Sequence, residues 1–121
     1  MNFEFHNPTH LIFGAGVLSR LGAVVSKHGK KAMIVTGGGS VKRSGTFDRA
    51  VASLEAAGIA FAECDGVEPN PRISTVRRGA QIVRDQSCDV IIALGGGSTM
   101  DASKVMAAAF YYDGDPWDMI Y

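Results

Sequence analysis

The string Gly-Gly-Gly-Ser occurs twice in this chain, as Gly37–Gly38–Gly39–Ser40 and as Gly95–Gly96–Gly97–Ser98. Each copy follows a short apolar run, Ala32–Val35 before the first and Val90–Leu94 before the second. Runs of four or five apolar residues that stop at a glycine cluster read as buried strands. Helical patterns fill the intervals between them, and strands that alternate with helices imply βαβ units around a parallel sheet. Both strings then fall at the carboxyl ends of parallel strands, where open α/β sheets bind ligands. Glycine admits positive φ and lets a phosphate approach the backbone without meeting a Cβ. The free N–H groups and positive dipole end of a following helix attract such an anion. In the second string Ser98 is expected to cap the helix and offer its hydroxyl to a phosphate oxygen. A dinucleotide is the ligand that this pair of turns suits best.

The rest of the chain fits the same alternation. A short N-terminal strand and the run Leu11–Phe13 precede a helix expected over Val17–His28, in which Leu18, Leu21, Val24 and Val25 recur at helical spacing and Gly29 ends the pattern. A second helix is expected over Thr46–Ala57, closed by Gly58, with a strand at Ile59–Ala62 behind it. Pro69 and Pro71 keep Glu68–Pro71 out of any helix. Helices over Ser74–Asp85 and Thr99–Tyr112 flank the strand Val90–Leu94, which is apolar enough to be covered on both faces. Asp115–Pro116–Trp117 looks like the start of one more helix. The expected architecture is α/β: a Rossmann-like parallel sheet with flanking helices and an N-terminal β-strand pair, with residues 1–121 as one dinucleotide-binding domain.

Composition removes several classes of function. Twelve Lys and Arg residues balance twelve Asp and Glu residues, so no net field draws the chain to nucleic acid or an anionic membrane. No apolar run nears the roughly 20 residues of a membrane helix, and Met1–His6 lacks a signal-peptide pattern. Cys64 and Cys88 stand apart with no CxxC pairing, as free thiols of a cytoplasmic protein would.

Other features carry weaker signals. Gly14–Ala15–Gly16–Val17–Leu18–Ser19 approaches the GxGxxG fingerprint but lacks the third glycine, and no acidic residue follows at the right distance. It reads as a structural turn. Asp101 and Lys104 share one helix face; Asp101 suits either a capping-box role opposite Ser98 or a place facing the cofactor cleft. After Thr36 no carboxylate appears until Asp48, whereas Lys42 and Arg43 come early. A carboxylate there would bind ribose hydroxyls and repel a 2′-phosphate, so its absence favours NADP(H) over NAD. The same two cations could equally be a solvated helix face.

Asn7–Pro8–Thr9, Phe13–Gly14, Ile34–Val35–Thr36, Pro69–Asn70–Pro71 and Gly95–Gly96–Gly97–Ser98–Thr99–Met100–Asp101–Ala102–Ser103–Lys104 together resemble the iron-containing (group III) alcohol dehydrogenases. Gly37–Gly45, Gly66–Pro71 and Asp115–Trp117 resemble the butanol dehydrogenase and NADPH-dependent aldehyde reductase branch. The resemblance runs along essentially the whole chain. It implies that Gly95, Gly96, Gly97 and Ser98 hold the pyrophosphate and that Asn70 and Asp101 line the cofactor cleft. Gly37 stands where NAD-preferring members carry an aspartate, and with Gly38, Gly39 and Ser40 it would accept the 2′-phosphate side of NADP(H). Met1–Phe5 would pair across a homodimer.

Members of that family carry a second, helical domain whose aspartate and histidines bind Fe²⁺ or Zn²⁺, and act on a primary alcohol or aldehyde. The only histidines here are His6, His10 and His28, so the chain is assigned no metal site and no catalytic residue, and is expected to be inactive alone. Two alternatives stay open at this stage: a non-catalytic nucleotide-binding fragment, and a relative nearer to glycerol dehydrogenase or dehydroquinate synthase.

Overall fold

In the computed structural model, which describes residues 1–120, three parallel strands form one sheet in the order β2-β1-β3. Strand β1 (Lys31–Thr36) lies in the centre, β2 (Ala60–Cys64) on one side and β3 (Val90–Leu94) on the other. Parallel neighbours need crossover connections, and helices supply them. A 3-10 turn at Val17–Arg20 leads into α1 (Leu21–Val25), followed by α2 (Ser40–Arg43), α3 (Thr46–Ala56), α4 (Ile73–Asp85), α5 (Gly97–Phe110) and a 3-10 turn at Pro116–Ile120.

The alternation of side chains along β1 divides the core in two. Ala32 and Ile34 pack with Val25, Leu54 and Ile59 on the α1/α3 side. Met33 and Val35 pack with Cys64, Val76, Val83 and Met106 on the α4/α5 side. All four β1 side chains are fully buried, and full burial of a residue such as Met33 or Ile34 contributes about 1.5–3 kcal/mol. That burial on both faces is why β1 reads as an unbroken apolar run.

Three expectations need correction. Residues 1–13 form no strand, so the N-terminal strand pair is absent from this chain. Met1, Phe3, Phe5, Leu11 and Phe13 are all exposed; a strand exists only through hydrogen bonds to a partner, and the segment has none on this sheet. Strand β3 is only partly buried, because it is an edge with one neighbour. The central, fully covered strand is β1. The helix expected over Val17–His28 is instead a 3-10 turn at Val17–Arg20 followed by α1, which ends at Val25.

Carboxylates fasten the loops that approach the sheet. Asp89, just ahead of β3, accepts hydrogen bonds from the backbone N–H groups of Lys30 (3.0 Å) and Lys31 (2.9 Å), which tie the start of β1 to β3. These bonds hold its carboxyl below the usual aspartate range, Lys30 N–H contributing most. Cys64 and Cys88 are both free and buried, and burial pushes both thiols up. No described helix is long and apolar enough to cross a membrane.

Candidate dinucleotide site

The chain leaves β1 toward β2 on one side and returns past it to β3 on the other. The connections therefore part between β1 and β3, the switch point at which open parallel sheets form a ligand crevice. Thr36 and Leu94 are register partners across that pair, so Gly37 and Gly95 leave the sheet side by side. The two strings are brought together by the fold, as their repetition suggested.

Thr99 lies against both strand ends. It is buried in the first turn of α5, and its carbonyl accepts the Ser103 hydroxyl at 2.7 Å. A Cβ on Gly95 would come within 2.7 Å of Thr99 Oγ1, and one on Gly37 would lie 3.3 Å from the Val67 carbonyl oxygen and 3.5 Å from Thr99 Oγ1. Val67 is itself held there, its N–H donating to the Thr36 carbonyl at 3.0 Å. Thr36 Oγ1 is buried at the strand end and has no partner within the protein, which is costly for a hydroxyl unless something else completes it.

The other glycines behave differently. A Cβ at Gly38, Gly96 or Gly97 would meet nothing within 4 Å, and none of the three has a positive φ. The folded chain has no steric or conformational use for glycine at these positions, although glycine costs helix and loop stability. They leave bare backbone around the mouth of the crevice. Gly39, by contrast, needs its φ of 97° to start α2.

Helix α5 begins at Gly97 with Gly96 as its N-cap and no side chain capping it. The expected Ser98 cap is therefore replaced by backbone: the helix starts two residues earlier, Ser98 already lies in its first turn, and the N–H groups of that turn remain available. Asp101 makes no capping box. Its side chain is 73% exposed and pairs with Lys104 at 3.8 Å. It also borders a hollow of about 170 Å³ with Pro71, Ile73, Val76, Ala102, Val105 and Trp117, which joins the α5 start to the proline loop.

Asn70 sits at the tip of that loop, exposed and with φ 53°, a conformation asparagine tolerates better than most residues. Glu68 anchors the loop. Its carboxylate accepts the Arg72 N–H at 3.0 Å and the Thr75 hydroxyl at 2.9 Å, and its own backbone N–H, Thr75 and Arg72 hold the carboxyl below the usual glutamate range.

Lys42 and Arg43, indistinguishable in the sequence, part company in space. Lys42 forms an ion pair with Glu63 of β2 and lies 5.1 Å from the Phe47 ring centroid. Arg43 turns back over the glycine string, Nη1 donating to the Gly38 carbonyl at 3.4 Å. Sequence reading missed Thr36, Thr99 and Glu63. A polar residue ending an apolar strand could have drawn attention to Thr36; nothing local points to Glu63, which meets Lys42 only through strand pairing.

Among the described residues, no three His, Cys, Asp or Glu side chains converge as a metal site would require.

Comparison with known proteins gives a consistent picture. The family model for iron-containing alcohol dehydrogenase matches residues 8–120. The chain is 50% identical over 120 residues to NADH-dependent butanol dehydrogenase A of Clostridium acetobutylicum, covering 99% of this chain and 31% of that protein. It is 37% identical over 121 residues to the NADPH-dependent aldehyde reductase YqhD of Escherichia coli, covering 98% and 30%. The crystal structure of NADH-dependent butanol dehydrogenase A from Thermotoga maritima superposes with a TM-score of 0.91 at 38% identity, covering 97% of this chain and 30% of that one. The chain thus spans about a third of the length of the curated relatives it matches.

Proposed function

This chain belongs to the iron-containing alcohol dehydrogenase family, and from that premise we propose that residues 1–121 form its dinucleotide-binding domain, with NADP(H) as the cofactor. The observation that carries the proposal is the cluster of Gly38, Gly96 and Gly97, bare backbone that the fold does not need, at the β1/β3 switch point. Beside it, the unpartnered Thr36 hydroxyl fits a ligand that brings its own hydrogen-bond partner.

In this reading Gly95, Gly96, Gly97 and Ser98 receive the pyrophosphate on the backbone N–H groups of the first turn of α5. Gly37, Gly38, Gly39 and Ser40 receive the adenosine end. Asn70 and Asp101 border the cleft from the proline loop and from α5. A bound nicotinamide supplies or accepts the hydride exchanged with a primary alcohol or aldehyde. The chain's own contribution is to fix the dinucleotide and limit its freedom, which is catalysis by positioning.

A metal does not fit the described residues, because His6, His10 and His28 do not converge with one another or with carboxylates. We assign Fe²⁺ or Zn²⁺, and the polarisation of the substrate oxygen, to sequence of the full-length enzyme outside residues 1–121. The 121-residue chain alone is accordingly inactive. The exposed apolar N-terminal segment supports a homodimer, and the two free thiols support a cytoplasmic location.

NAD(H) is the second reading. It is favoured by the relative at 50% identity, which is named an NADH-dependent enzyme, and by Glu63, a β2 carboxylate that pairs with Lys42 of α2. Titrating the protein with NADPH and NADH, by nicotinamide fluorescence and calorimetry, separates the two. Saturable binding with NADPH preferred supports the first; preference for NADH replaces it with the second. No binding of either by the folded chain would overturn the dinucleotide assignment.

A further inference from the structure

The dinucleotide reading leaves open which group discriminates between the two cofactors. Lys42 and Arg43 are neighbours in α2, but consecutive helical residues point about 100° apart. Lys42 faces the sheet, where Glu63 and the Phe47 ring hold its ammonium. The Glu63 hydrogen bond also raises its pKa, so it stays charged and paired. Arg43 points the other way. A Cβ on Gly39 would lie 3.1 Å from Arg43 Nη1, so the guanidinium rests against the bare Gly38–Gly39 turn. Its one hydrogen bond there, to the Gly38 carbonyl at 3.4 Å, is long and leaves most of its donors free.

We propose that Arg43 is the specificity-determining residue of this site: its guanidinium receives the 2′-phosphate of NADP(H) over the Gly38–Gly39 turn, while Glu63 withdraws Lys42 from that role. The inference rests on the dinucleotide reading above. A planar guanidinium presents paired N–H donors that match two phosphate oxygens, which an ammonium cannot do. The two adjacent cations therefore have separate work: Lys42 ties α2 to β2, and Arg43 reads the nucleotide.

The test uses four probes, NADPH, NADH, 2′,5′-ADP and 5′-AMP, on the protein and three variants. Arg43→Ala should weaken NADPH and 2′,5′-ADP by about ten- to hundred-fold, the range of a charge-assisted hydrogen bond. Its binding of NADH and 5′-AMP should stay unchanged, which also certifies that it folds. Arg43→Lys should fall between the two. Lys42→Met should cost the phosphorylated ligands no more than about threefold, as expected for a screened charge without direct contact. NADPH affinity unmoved by Arg43→Ala, or moved equally by Lys42→Met, overturns the inference and leaves the dinucleotide reading standing. Failure of the unaltered protein to bind any of the four overturns both.

Discussion

Gly95 and Thr99 are packed so closely that a single methyl group would separate them: an added Cβ would stand 2.7 Å from Thr99 Oγ1 and 3.2 Å from its Cβ. Thr99 is 4% exposed and cannot swing into solvent. Two residues on, Gly97 is free of any such neighbour. The two alanine substitutions should therefore separate fold from function. Gly95→Ala should lower stability by about 1–3 kcal/mol, the usual cost of overpacking, and weaken dinucleotide binding as the α5 start shifts. Gly97→Ala should raise stability by up to about 1 kcal/mol through helix propensity, yet weaken dinucleotide binding. Denaturant unfolding and cofactor titration on both variants provide the check. Equal losses of stability would show that Gly97 is needed by the fold after all.

Gly37 is the position at which the choice of cofactor should be easiest to reverse. An added Cβ would lie 3.3 Å from the Val67 carbonyl oxygen, close enough that the neighbour must give slightly, and the φ is not positive. Gly37→Asp should therefore fold. Its carboxylate would stand at the end of β1, able to accept from ribose hydroxyls and to repel a 2′-phosphate. NADPH affinity should fall by more than about tenfold, while NADH affinity is kept or improved. Parallel loss of both ligands would mean that the substitution blocks the crevice instead of re-tuning it.

Acid should loosen the chain at two named carboxylates. Asp89 is held down chiefly by the backbone N–H groups of Lys30 and Lys31, and Glu68 by its own N–H, Thr75 and Arg72. A carboxyl with a depressed folded pKa contributes stability above its unfolded pKa, and that contribution is lost as pH falls through the folded value. Stability should be level above about pH 5 and should fall below the ordinary carboxylate range near pH 4. Melting temperature followed from pH 7 to pH 2.5 should show this slope, and Asp89→Asn should reduce it. An unchanged slope in that variant would remove Asp89 from the acid response.

The N-terminal segment is the other place where a physical expectation can be checked directly. Phe3 and Phe5 alternate with Asn2, Glu4 and His6, the pattern of a strand with one apolar face, and both rings are exposed. Pairing with a second copy would bury them. Removing residues 1–10 should convert a dimer to a monomer in light scattering. An untruncated chain that is monomeric at all concentrations would dismiss the homodimer.

What could be read from the sequence and what could not divide along a physical line. β1 was legible because its apolar run reflects burial on both faces, β3 because its apolar run is strand length although it is only partly buried, and α3 and α4 because one face of each repeats at 3.6 residues. The start of α5 was misplaced because a serine is the ordinary capping signal, whereas here the backbone itself opens the helix at Gly96 and Gly97. The N-terminal strand was misjudged because a strand is a property of two segments and only one of them is visible locally. Lys42 and Arg43 could not be told apart, since their difference lies in Glu63, brought to Lys42 by the pairing of β1 with β2. The proline loop was correctly denied a helix, but its anchorage by Glu68 depends on Thr75, seven residues away.

Thr36 offers the sharpest test, because fold and function should respond with opposite sign. Its hydroxyl is buried without a partner at the end of β1, and an unsatisfied buried hydroxyl costs about 1–3 kcal/mol. Valine has the same shape, prefers strands equally and carries no polar atom. Thr36→Val should therefore stabilise the free protein by up to about 1 kcal/mol, seen as a later denaturant midpoint with an unchanged slope. If the hydroxyl completes its hydrogen bonding on a bound dinucleotide, the same substitution should weaken that ligand by about two- to tenfold, the worth of one neutral hydrogen bond. Greater stability with unchanged affinity would mean that Thr36 lies behind the site without touching the ligand. Lower stability would mean that its hydroxyl is already satisfied in the free protein, and the fit of a ligand there would lose its support.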